Sequence, residues 1–458
     1  MARNGLHSRI RAATAAMLHW DGSDRQIVHG MAWTAAFLLG AKLVTAVKEM
    51  VVAAHFGVGT TVDAYMLVTS VALWPVVVAM SVFTLIVLPL HIQLLARDPE
   101  SAARLQRGML GWMAVVGLAL TALLWLATPP LIVWLTPPEA VALRAQALAM
   151  LPGMLCAIAP GILAGLFSAW IMAGGRHVNT LLDGVPALTL LVLLLAWPVP
   201  SAMLLAWGTA LGICAQLAAA AFVLARGGKL LRPALRTSFA GWPALAGGAG
   251  LALFASVLNS ASGVVEQFIG AQLGTGALSA LGYAARIVAL CTGLGALAVT
   301  RAVLPVFSVH AQTGDAAQAW PLVQRWVARM ALLGTALMAT VYLLAPWIIG
   351  LLFERGAFGA QDVAEVAAVL RGASLQFPIF FAAHVLWAYA ASQRRYRLIF
   401  ESALVLCIVR PLVGWWWAQL GGAPGLAASM AAAYAASGLL LGWRLYPRIA
   451  RPARRAAP

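Results

Sequence analysis

The sequence predicts an all-α polytopic membrane protein of about 12 transmembrane helices, arranged as two pseudo-symmetric six-helix lobes with both termini in the cytoplasm. Three observations predict this class. Hydrophobic residues make up 62% of the chain and charged residues only 10%, with a mean hydropathy of +0.89, whereas a soluble domain carries about 25% charge. Apolar runs near the ~20 residues needed to cross a bilayer recur from end to end. Lysine and arginine also gather in alternate connections, as the positive-inside rule requires.

The elements follow in order. Residues 1–28 form a basic tail; its segment RIRAATAAMLHW reads equally as an interfacial amphipathic helix or a solvated tail. No sustained apolar core precedes Met31, so no cleavable signal peptide is expected. An N-lobe at 29–226 holds helices near 29–55, 64–92, 108–127, 143–173, 179–197 and 202–225. TPPLIVWLTPPEA reads as a proline-bounded outer loop, and Pro152 and Pro160 as kink points. Residues 227–242 form the inter-lobe linker, with basic residues and no acid. A C-lobe at 243–446 holds helices near 243–271, 279–309, 328–352, 364–391, 398–418 and 425–445, and a basic tail at 447–458 closes the chain.

Charge placement fixes the expected orientation. The connections on the side of the termini hold the arginines around Arg97–Arg107, Arg226–Arg236, Arg394–Arg397 and Arg444–Arg455. The opposite side holds little beyond Arg144 and Arg355, set against Glu139, Glu354 and Asp362. This one-sided placement accounts for the net charge of +16 without nucleic acid. The four cysteines, Cys156, Cys214, Cys291 and Cys407, lie in apolar spans without CxxC spacing and read as small buried hydrophobes.

Chemistry concentrates in the first helix. Lys42, Lys48 and Glu49 stand where a lipid-facing helix would carry leucine, and Lys42 and Glu49 lie within roughly 20° of each other at about 100° per residue. A central Lys or Glu costs about 2.5–3.5 kcal/mol on insertion scales, so this face is expected to line a wet cavity. In the seventh helix Asn259, Ser262, Gly263, Glu266 and Gln267 share an arc of about 140°, which is either an opposite cavity wall or a hydrogen-bonded seam. Arg410, mid-helix before Pro411, can line the cavity or neutralise Glu401 or Glu266. Arg371 and His384 are weaker candidates, His384 reading as a satisfied interior histidine. Asp183 reads as an end-of-helix charge, and Trp415, Trp416 and Trp417 as an aromatic belt.

The two halves also repeat. FGVGTTVDAY (Phe56–Tyr65) matches LGTGALSALGY (Leu273–Tyr283), and VLPLHIQ from Val87 matches VLPVFSV from Val303. Tyr65 to Pro89 is 24 positions and Tyr283 to Pro305 is 22. Two related lobes around a central site favour alternating access.

KEMVVAAHFGVGTTVDAY resembles the opening signature of the MurJ/MviN family within the MOP flippase superfamily. LFERGAFGAQD (Leu352–Asp362) is similar to its signature after the ninth helix, and YAARIVALCTGLGALAVTRAVLPVFS to its eighth helix. The resemblance implies a V-shaped two-lobe bundle in the bacterial inner membrane that flips polyprenyl-diphosphate-linked saccharides. It implies Lys42, Lys48 and Arg286 as the residues holding the diphosphate. Glu49, Asp63, Asn259, Glu266 and Arg410 are the candidate ion-coupling or cavity residues.

Departures from the family pattern shift the expected cargo. LWPVVV (Leu73–Val78) replaces the family's arginine pair in helix 2, Ala285 stands where an acid usually precedes Arg286, and the chain stops after twelve helices. An exopolysaccharide or O-antigen unit is therefore expected ahead of lipid II. A MATE-type drug or cation antiporter is the alternative, but its site would need acids and aromatics rather than lysines. A glycan-pathway enzyme would need a large outer loop, and no outer segment exceeds about 20 residues, nor does HExxH, GxSxG or a P-loop occur in a usable context. Catalytic residues, metals and cofactors are not expected. The energy source is open between membrane potential, a proton through Glu266 or Glu49, and a sodium ion. A monomer is expected, with lipid-linked glycan, membrane lipids and glycan-assembly enzymes as partners.

Overall fold

The computed structural model describes residues 40–174, 179–197, 201–228, 231–236, 242–312, 316–393 and 395–446. Both basic tails lie outside these residues, as does part of the linker.

Every element among the described residues is helical. The N-lobe comprises α1 (residues 40–56), α2 (Thr60–Arg97), α3 (Pro99–Leu135), α4 (Val141–Leu155), α5 (Ile158–Ala173), a single turn at Asn179–Leu182, α6 (Val185–Ala196) and α7 (Ala202–Arg226). The C-lobe comprises α8 (Trp242–Ala271), α9 (Ala277–Gln312), α10 (Ala316–Phe353), α11 (Ala360–Ser374), α12 (Gln376–Ser392) and α13 (Tyr396–Leu445). Among the described residues, six stretches are long and apolar enough to cross a membrane, and the bent pair α4–α5 makes a seventh. The two arms of α13 meet at Gly422, whose φ of +59° only glycine adopts without strain, so the predicted helices 11 and 12 are these arms.

Prolines set most of the irregularities. Pro160 has no N–H to offer Cys156, and α4 and α5 meet there at 46°. Pro89 follows a π-helical turn at Phe83–Val87, a wide turn that absorbs its missing donor within α2. Pro378 cannot bond the Ser374 carbonyl, and the predicted tenth helix divides there into α11 and α12. The expected loop at TPPLIVWLTPPEA begins later than predicted. Pro129 and Pro130 lie inside α3, which the apolar run LIVWL carries on to Leu135. The expected inner loop at 93–107 is instead an elbow at Asp98, whose side chain caps α3 by accepting from the Ser101 N–H at 3.0 Å.

In the N-lobe, α2 packs on α4 and α5, and α7 on α4, α5 and α6; in the C-lobe, α12 packs on α9, α10 and α13. Small residues allow these approaches. A Cβ on Gly212 of α7 would lie 2.8 Å from the Pro186 backbone of α6, and one on Gly334 of α10 2.6 Å from the Phe377 carbonyl. The lobes meet mainly where α2 lies against α8 and α9. Trp74 of α2 donates to Ser260 Oγ of α8 across that seam at 2.8 Å.

Candidate site between the two lobes

The first-helix charges converge on one carboxylate. Glu49 is 2% exposed, and its Oε1 receives Lys48 Nζ at 2.6 Å and, from α9 of the other lobe, Arg286 Nε at 3.1 Å. Two cations around one anion leave a net positive cluster bridging the lobes. The Arg286 side chain remains 48% exposed, and Glu49 is its one ion-pair partner among the described residues. A guanidinium that open on a membrane span faces water or a ligand, because lipid would not solvate it. Of the predicted diphosphate ligands, Lys48 and Arg286 are thus brought together. Lys42 stands apart, also exposed, roughly 10 Å further along α1 at 1.5 Å per residue. Glu49, proposed from sequence as an ion-coupling residue, forms the hub of the cationic cluster.

Asp63 lies elsewhere. It is 1% exposed and accepts from the Gly276 N–H at 2.5 Å, the Ser279 N–H at 2.6 Å and the Ser279 hydroxyl at 2.5 Å. A carboxylate from one lobe therefore caps the N-terminus of α9 in the other, where unpaired amides and the helix dipole favour negative charge. Around it, Tyr283 donates to the Gly57 carbonyl at 3.1 Å, and the Ala357 N–H to the Ala54 carbonyl at 2.7 Å. Two of the motifs singled out in the sequence, KEMVVAAHFGVGTTVDAY and LFERGAFGAQD, therefore meet in space and close one end of the interface. Asp63 serves that closure and sits apart from the cationic cluster.

In the C-lobe, Glu266 of α8 is ion-paired with Arg410 of α13. Of the two acids considered for Arg410, Glu266 is the one it meets, while Glu401 is engaged by Arg397 at 3.1 Å and Arg444 at 3.5 Å. Asn259 lies in α8, but its side chain is outside the described residues. His384 stacks on Phe380 with ring centroids 5.4 Å apart, and Arg371 Nε donates to the Tyr342 carbonyl at 3.1 Å. The cysteines are less uniform than expected: Cys407 is buried, Cys291 intermediate, and Cys156 and Cys214 exposed. Cys156 is drawn out at the α4–α5 bend. Sequence reasoning did not single out Ser279, Gly356 or Trp74, because each acts across the lobe interface, and pairing at that range leaves no local pattern.

The profile of the family described as MurJ, lipid II flippase, matches residues 52–456. No curated protein sequence matches the chain. Among solved structures, the chain is similar to a lipid II flippase MurJ in an inward closed conformation, with a TM-score of 0.75 at 16% identity over 90% of this chain and 87% of that one. It is also similar to an inward-facing multidrug resistance MATE family transporter of the MOP superfamily, with a TM-score of 0.70 at 13% identity over 89% and 94%. A MOP superfamily transporter from Pyrococcus furiosus gives a TM-score of 0.53 at 15% identity over 92% and 93%. At these identities the structures show the fold alone, a two-lobed helical bundle.

Proposed function

Because the chain belongs to the MurJ lipid II flippase family, a family of multi-pass inner-membrane transporters, we propose that it flips a polyprenyl-diphosphate-linked saccharide by alternating access. The observation that carries this reading is the Lys48–Glu49–Arg286 cluster, a net positive group shared by both lobes with one guanidinium edge open. A diphosphate entering a low-dielectric space loses hydration, and paired cations offset that loss. Glu49 holds Lys48 and Arg286 in place before the cargo arrives, and the diphosphate takes over as Arg286's partner. Charge-assisted bonds to phosphate are about twice as strong as neutral ones. The Asp63 cap keeps the outer end shut while the headgroup loads, and its release opens the path outward. The acids Glu49 and Glu266 are both held by basic side chains, which favours an anionic cargo over cation exchange.

The cargo we assign is an exopolysaccharide or O-antigen repeat unit in preference to lipid II. In the Leu73–Val78 stretch, where the family pattern has an arginine pair, this chain uses Trp74 to tie α2 to α8. Replacing Lys48 or Arg286 with Ala is expected to abolish glycan display at unchanged protein level in the membrane. Lys42→Arg is expected to keep part of the activity, because charge matters more there than fork geometry. Full display by a Lys42→Ala, Lys48→Ala, Arg286→Ala variant would end this reading. Growth rescue of cells depleted of their lipid II flippase would reassign the cargo to lipid II.

A further inference from the structure

A second polar group lies in the N-lobe, on the side of the cationic cluster away from the Asp63 closure. Asp183 follows the Asn179–Leu182 turn, and Gln216 Nε2 of α7 donates to its Oδ1 at a long 3.4 Å. Asn179 is one helical turn earlier on the same face, since the Asp183 N–H bonds its backbone carbonyl at 3.2 Å. Asn179 is 7% exposed, and its Oδ1 has no hydrogen-bond partner. Lys42 is the charged residue acting on Asp183, yet no ion pair joins the two. Both are exposed.

A Cβ on Gly184 would lie 3.1 Å from that of Ala41, so Asp183 shares the level of Lys42. That level is ~21 Å along α1 from its end at Phe56, at 1.5 Å per residue. An exposed carboxylate and ammonium in an apolar helical bundle face water or a ligand, because lipid would not solvate them. Their chemistry differs from that of the diphosphate cluster. An acceptor carboxylate and two carboxamides, one oxygen of which is unmatched, suit a ligand rich in hydroxyl and amide groups and would repel a phosphate.

We propose that Asp183, Gln216 and Asn179 form a subsite for the hydroxyl and acetamide groups of the first sugar, with Lys42 between it and the diphosphate on Lys48 and Arg286. This rests on the flippase reading and adds where the saccharide is recognised. Asp183 accepts from a sugar hydroxyl, the loose Gln216 contact gives way to ligand bonds, and the Asn179 carboxamide is completed by a sugar donor.

The test uses the purified full chain in nanodiscs and two probes, undecaprenyl diphosphate and the same lipid carrying one N-acetylglucosamine. Asp183→Asn and Gln216→Ala are each expected to weaken binding of the glycosylated lipid about tenfold or more, the worth of one hydrogen bond to a charged group. Binding of the bare diphosphate should stay within twofold of wild type, a readout that misfolding would not spare. Equal loss for both lipids, or no loss for either where wild type binds both, overturns the subsite. Failure of the wild type to bind either lipid overturns the flippase reading, and the subsite with it.

Discussion

At the residue scale, the Glu266–Arg410 pair separates a structural charge from a transporting one. Both side chains are largely buried, at 18% and 21% exposure. Removing one partner of such a pair leaves an uncompensated charge and costs about 3–5 kcal/mol, whereas replacing both by neutral groups is often tolerated. Arg410→Ala is therefore expected to lower the amount of folded protein in the membrane. Glu266→Gln combined with Arg410→Gln is expected to restore it and to keep glycan display. A double variant that folds but exports nothing would make Glu266 a coupling residue instead. The sequence could place Glu266 on a polar face and Arg410 mid-helix, because each sits in an otherwise apolar run. Which acid Arg410 meets depends on how α8 and α13 pack, and spacing along either helix does not encode that. Lys48, Glu49 and Arg286 were legible for the opposite reason: Lys48 and Glu49 are adjacent, and the motif around Arg286 is itself distinctive.

At the scale of elements, the contact between the two motif loops depends on glycines that admit no side chain. Gly356 has φ +60°, and a Cβ there would lie 2.2 Å from the Ala54 carbonyl, the acceptor of the Ala357 N–H. Gly57 has the same φ, with the Ala357 carbonyl 2.7 Å from where its Cβ would be. Gly356→Ala therefore pushes the loops apart as well as straining the turn. Ser279, with no exposed surface, reports the state of this end. A Ser279→Cys probe is expected to react slowly with an impermeant thiol reagent, and several-fold faster once Gly356→Ala is added. Unchanged labelling would mean that the glycine contact does not hold the closure. Most helix positions were legible in the sequence because apolar length dictates them, although α3 begins nine residues before its expected start and α10 twelve. Helix ends at prolines were less so, since Pro129 and Pro130 lie inside α3 while a helix divides at Pro378. A proline's effect depends on whether the carbonyl it leaves free finds another partner.

At the scale of the molecule, the paired motifs Phe56–Tyr65 and Leu273–Tyr283 announced two lobes, and the structure uses them to join those lobes: Tyr283 reaches Gly57, and Ser279 reaches Asp63 and Gly59. A repeat in sequence thus becomes a contact between the halves. The cationic cluster sits inward of this closure, ~10 Å from the end of α1, so the direction of transport depends on which side of the membrane the closure faces. The arginine distribution predicts that it faces outward, with Arg97, Arg104, Arg107, Arg232 and Arg236 grouped at the opposite end, where the linker's Ala234 N–H bonds the Arg107 carbonyl at 3.0 Å. Single cysteines test this directly. A side chain at Gly59 or Gly421 meets nothing within 4 Å, and Leu235 in the linker is 53% exposed, so substitution at each should leave the fold intact. Gly59→Cys and Gly421→Cys are expected to react with an impermeant maleimide on intact cells, and Leu235→Cys only after the membrane is opened. The reverse pattern would invert the molecule. The Asp63 closure would then face the cytoplasm, and the cationic cluster would receive its cargo from the wrong leaflet.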